Sequence, residues 1–181
     1  RLQDDSASAC AQLSACLTLA EQWAGVSQEP ATVPCMEEAV LSFLRSCEVL
    51  TSDWKQMLEH AANASELENL LAYTPALDQE IRLFTMDMLY RYYLRAAYAE
   101  TPEAEILPVQ MAAFAVCIVL LYSRRLGFHI AEQQLRIWQL FVKEIEYDGD
   151  NLEELEWQLE TNAAFSPAAF RAYFASLGGV Q

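Results

Sequence analysis

The residues in this chain whose types could do chemistry are five cysteines, two histidines, an acidic run and a tyrosine–arginine cluster. The cysteines are Cys10, Cys16, Cys35, Cys47 and Cys117. Their number is odd, and no pair has the C-x-x-C spacing of a zinc or redox site. Each lies in an apolar stretch with a helical pattern, which predicts buried thiols and a reducing compartment. Cys10 and Cys16 are six residues apart, a spacing that does not share a helix face well.

His60 and His129 belong to no H-E-x-x-H pattern and have no second histidine nearby, so a metal site would need distant ligands. His129 follows a glycine-terminated helix, where capping or surface service is ordinary. Glu144, Glu146, Asp148, Asp150, Glu153, Glu154 and Glu156 form an acidic run without the ligand order and fixed glycine of an EF-hand loop. Glu153, Glu154 and Glu156 read as the solvated face of a short helix. In Tyr90-Arg91-Tyr92-Tyr93, consecutive side chains on a helix point about 100° apart and cannot all face one pocket. Aromatic core packing with Arg91 stacked or paired is the expected role. There is no G-x-G-x-x-G, P-loop or nucleophile elbow, so the residues themselves name no catalytic or cofactor-binding group, and no metal site.

The elements that must position these residues read as helices throughout. Helical spacing predicts a first helix over 4–24, favoured by Asp4 and Asp5 at its start, and a second over 35–50. Thr51, Ser52 and Asp53 cap a short helix over 54–62, and the Ser65/Glu68 spacing suits another over 66–73. Pro75 breaks the pattern before a long aromatic helix over 77–100, whose apolar circumference predicts burial on more than one side. Thr101 and Pro102 begin the connection to a central helix around the apolar run 111–122. That run is too short to span a bilayer unless Pro108 and Gln110 are included.

An amphipathic helix over 130–147 turns Leu135, Trp138, Phe141, Val142 and Ile145 inward. Asn151 caps an acidic helix ending near Glu160, and Ser166-Pro167 starts the last helix, which Gly178 and Gly179 end. The expected fold is therefore all-α: a compact bundle of about seven to nine helices without a sheet. It forms one domain over 1–181, with 1–66 a candidate N-terminal helical subdomain and 166–178 the C-terminal helix.

Hydrophobic residues make up 54 % of the 181-residue chain, enough for a sizeable core. Lys plus Arg number 11 against 26 Asp plus Glu, a net charge of −15 that repels nucleic-acid phosphates and anionic lipid. The expectation is no nucleic-acid or membrane partner and a cytoplasmic location. The acidity maintains solubility, and would also steer a lysine-rich protein surface toward the chain.

Three stretches, in order, carry a family resemblance. The first is residues 83–98, with Tyr90-Arg91-Tyr92 and a small-residue ending around Ala96 and Ala97. The second is the apolar helix at 112–122. The third is Lys143-Glu144-Ile145-Glu146, followed by an acidic turn and Asn151-Leu152-Glu153. Over residues 67–156 the chain resembles the C-terminal helical region of flagellin lysine-N-methylase-like proteins. The resemblance implies the helical part of an S-adenosylmethionine-dependent lysine N-methyltransferase, with a lysine-rich protein such as flagellin as substrate. It also implies an iron or zinc site held by a cysteine cluster in the N-terminal part of a full-length member. No such cluster occurs between Arg1 and Gln181, so the metal role does not carry over, and no catalytic residue maps onto a matching position.

Two other readings compete. One is a non-catalytic helical protein–protein interaction module. The other is a small-molecule sensor with a pocket lined by Trp54, Tyr90, Tyr93 and Trp138.

Overall fold

The computed structural model describes residues 7–26, 35–64, 74–128 and 130–177. Among them are eight α-helices: α1 (Ala9–Ala24), α2 (Met36–Ser46), α3 (Ser52–Asn63), α4 (Pro75–Ala97), α5 (Pro102–Leu126), α6 (Ala131–Phe141), α7 (Gly149–Thr161) and α8 (Pro167–Leu177). A π-helical turn (Val142–Glu146) links α6 toward α7, and a 3-10 turn (Ala163–Phe165) precedes α8. No strand occurs among the described residues, so the all-α expectation holds.

The apolar run organises everything else. Met111 to Tyr122 are all buried, and α5 touches each of the other seven α-helices. A helix apolar all round must be covered all round. Residues 104–126 are long and apolar enough to cross a membrane by length and composition, but most of that stretch is already covered by the chain itself. Phe43, Phe114 and Phe165 meet edge to face around it, with ring centroids 5.3 Å apart for two pairs and 6.5 Å for the third. That is the geometry favoured by the aromatic quadrupole.

The ends of the helices follow local chemistry more closely than the expected boundaries did. α1 starts at Ala9, where Ser8 accepts from the Ala11 amide; Asp4 and Asp5 lie outside the described residues. α2 stops at Ser46, and residues 47–50 run non-helically into the Thr51 cap of α3. Pro75 opens α4 rather than breaking it, and Thr101-Pro102 opens α5 as cap and first helical residue instead of forming a connection. A proline in the first turn forfeits no helical hydrogen bond. Gly25 and Gly127 close α1 and α5 in left-handed conformation, at φ 71° and 66°. The expected helix over 66–73, His129 and the terminal Gly178 and Gly179 fall outside the described residues.

Candidate functional site

One convergence of polar residues lies where the segment leading into α3, the π-turn and α7 meet, with the π-turn also reaching α4. The stripe of α6, Ile137 with Leu140 and Phe141, continues into the π-turn at Glu144 and Ile145, all buried. Glu144 is thus an acid at a core position. One carboxylate oxygen accepts from the Leu50 amide at 2.7 Å, and the other accepts a short hydrogen bond from the Thr51 hydroxyl. Thr51 Oγ1 in turn accepts from the Trp54 amide at 3.3 Å, so one side chain both caps α3 and neutralises the demand of the buried acid. No cation pairs with Glu144 among the described residues. Burying a charge is tolerated only when its lone pairs are occupied in this way.

Asn151 completes the corner. Its Oδ1 accepts from the Glu48 amide at 2.8 Å, while its Nδ2 donates to the Glu48 carbonyl at 2.9 Å and the Glu144 carbonyl at 2.8 Å. It is not the cap of α7, as expected from sequence. That place belongs to Asp148, whose Oδ1 accepts from the Asn151 amide at 2.8 Å. The buried Tyr122 ring packs 5.5 Å from Trp54. Burial first, and the Glu144 charge second, push the Tyr122 phenol well up.

The second acid of the π-turn, Glu146, faces α4. It accepts from the Tyr92 hydroxyl at 2.8 Å and from Arg91 at 2.8 Å, while Arg91 also reaches Asp87 at 2.9 Å. Burial raises the Glu146 carboxyl, against the opposing pull of Tyr92 and Arg91. The π-turn, closed by the Tyr147 amide on the Val142 carbonyl at 3.0 Å, thus places one acid in the core and the other under α4. π-turns inside helices are frequent at functional sites.

The cluster Tyr90-Arg91-Tyr92-Tyr93 divides as helix geometry requires: Tyr92 is buried, Arg91 is ion-paired, and Tyr90 and Tyr93 are exposed with ring centroids 6.0 Å apart. Core packing therefore accounts for Tyr92 alone. The expectation that this helix is buried on more than one side is corrected: α4 buries Leu77, Ile81, Phe84, Met88 and Tyr92 and leaves the opposite face open. The pocket envisaged from Trp54, Tyr90, Tyr93 and Trp138 does not form. Trp54 lies on Tyr122, Trp138 stacks on Phe84 at 4.7 Å, and the two tyrosines face outward. Leu135, expected inward, is 44 % exposed.

The cysteines carry thiols rather than disulfides. Cys10, Cys47 and Cys117 are buried, Cys16 is half-buried, and Cys35 is exposed, contrary to its apolar surroundings in sequence. Burial, with Glu154 and Asp148 nearby, pushes the Cys47 thiol up to about 12. His60 is exposed in α3. Among the described residues no group of three or more His, Cys, Asp or Glu could hold a metal ion, so the iron or zinc of the resembled family does not fit them. An open depression lined by Glu21, Val26, Ile106, Gln110, Leu159, Glu160 and Pro167 has room for about one water molecule and does not fit a nucleoside cofactor.

Comparison with known proteins found no matching family model, curated protein or solved structure.

Proposed function

We propose that this chain is the helical C-terminal domain of an S-adenosylmethionine-dependent protein lysine N-methyltransferase acting on flagellin or a similar lysine-bearing protein. In this reading it supports the catalytic part or contacts substrate, rather than carrying the chemistry alone. The observation that supports it is the meeting of the separate stretches that carry the resemblance. Arg91 and Tyr92, from the first, bind Glu146 of the third, and Asn151 of the N-L-E segment holds the Glu144 carbonyl. Tyr122, the end of the second, packs near enough to Glu144 to feel its charge.

The chemistry of the surface agrees with a lysine-bearing partner. A net charge of −15 attracts ammonium groups, and exposed phenols such as Tyr90 and Tyr93 offer ring faces to cations. The test is genetic. Disrupting the reading frame that encodes this chain should remove N-methyl-lysine from flagellin, read by peptide mass spectrometry. Unchanged methylation overturns the proposal.

The interaction-module reading is favoured by a different observation, the uncovered apolar face of α4.

A further inference from the structure

Five of the thirteen residues of α7 are acids and none is basic. Asp150, Glu153, Trp157 and Glu160 fall within an arc of roughly 80° on the helical wheel, opposite the buried Asn151, Leu155 and Leu159. All four are exposed, and Trp157, at 56 %, has Glu153 one turn before it and Glu160 one turn after. None of these three acids is ion-paired among the described residues, so the negative charge along this face is not cancelled locally.

Glu160 also lines the open depression that α7 shares with α1, α5 and α8, and there it meets a second acid, Glu21. The Glu21 side chain is more than nine-tenths buried. Its Oε2 holds Arg171, while its Oε1 is enclosed and accepts no hydrogen bond among the described residues. Gln110, the other polar residue of the lining, spends its amide nitrogen on the Leu159 and Phe165 carbonyls and cannot serve Glu21. An enclosed carboxylate oxygen without a donor calls for one.

Size and charge select that donor. Two carboxylates against the one guanidinium of Arg171 leave a single negative charge, in a space that suits about one water molecule. A primary ammonium brings one positive charge and three donors in a compact group, whereas a planar guanidinium is too broad. Val26, Ile106, Leu159 and Pro167 offer the apolar wall along which a lysine stem lies. One turn away, the Trp157 ring offers its face to a neighbouring cation.

We infer that this surface takes an unmodified lysine of another protein, its ammonium in the depression lined by Glu21 and Glu160 and a neighbouring cation against Trp157. This rests on the proposed contact with a lysine-bearing protein, for which it names the surface, and does not require methyl transfer to flagellin.

The probe is a short capped glycine peptide carrying two lysines, with twins in which both are arginine or trimethyllysine. Each is titrated into the whole chain at a low salt of about 0.02 M, where surface charge is least screened, and followed by NMR. The lysine peptide should shift the amides of residues 21–26 and 153–160 and the Trp157 indole. Both twins, and the lysine peptide with a Trp157→Ser/Glu160→Gln variant, should bind at least about fivefold more weakly. The variant should keep its helicity because both side chains are exposed. Shifts spread over the whole acidic surface, equal affinity of the variant, or equal affinity of either twin each overturn the inference. Absence of binding overturns it too and leaves the transferase reading to its own test. Selective binding of the lysine peptide alongside unchanged flagellin methylation in the disrupted strain supports the inference while the transferase reading falls.

Discussion

Glu144 has both carboxylate oxygens engaged by donors from residues 50 and 51, and removing it leaves two part-buried donors and the cavity of a buried side chain. Glu144→Ala should cost about 2–4 kcal/mol of stability. Glu144→Gln, which keeps an acceptor in place, should cost about half as much; urea unfolding at neutral pH ranks the two. Glu146 behaves differently because burial raises its carboxyl above the ordinary 4.5. The folded chain therefore binds that proton more readily than the unfolded one. Stability contributed at this position is greatest below 4.5 and declines as pH climbs through the raised value. Glu146→Gln should flatten this part of the stability–pH curve, measured by denaturation across the acidic range; an unchanged slope would refute the assignment. Among the thiols, exposed Cys35 should react first with a thiol reagent, and Cys10, Cys47 and Cys117 only on unfolding, followed by absorbance of the released chromophore. The sequence held the signal for Glu144, which lies seven residues after Ile137 and three after Phe141, on the core stripe. Its charge and acidic neighbours made it read as part of a solvated run. Asn151 was misread for a related reason. Asp148 and Asn151 both suit a helix start, and nothing local says that Glu48, 103 residues away, needs the amide.

The π-turn and α7 act together as a clamp on residues 48–51, and Asn151 is its pin. Asn151→Ala removes three side-chain hydrogen bonds and should destabilise by about 2–3 kcal/mol. Before global unfolding it should speed hydrogen exchange at the Glu48 and Leu50 amides while sparing the middle of α5, as NMR exchange would record. Equal acceleration throughout would mean that no local clamp exists. The helices themselves were legible because apolar spacing, threonine caps and terminal glycines are local signals. The π-turn was not, because an extra residue in a helical turn is fixed by what its two acids must reach. The open face of α4 was hidden by composition: a helix with apolar residues on both sides reads the same whether one side or both are covered.

Across the whole molecule, 26 acids and 11 bases repel one another in the folded state more closely than in the unfolded one. Raising ionic strength from about 0.01 M to about 0.15 M shortens the screening length from about 30 Å to about 8 Å. The melting temperature should therefore rise over that range, by differential scanning calorimetry, even though individual ion pairs such as Arg136–Asp53 weaken. A fall would mean that the paired networks outweigh the net repulsion. The all-α class followed from the paucity of glycine and proline and from helical periodicity. What periodicity could not convey is which helix lies at the centre of the others, a place set by α5 having no polar face to spare.

The clamp also has a consequence in time. Residues 48–51 leave the ribosome about a hundred residues before Glu144 and Asn151, the side chains that receive them. Until then Thr51 can cap α3 but has no acid to answer, and the segment between α2 and α3 has nothing to close upon. Helices α1 to α3 must therefore wait, held near the emerging α5 by apolar contact and by the pairing of Arg124 and Arg125 with Glu37 and Glu38, for the last third of the chain to lock them. Synthesis halted between α5 and the π-turn would leave a collapsed but unlatched intermediate, the form most exposed to chaperones and proteases.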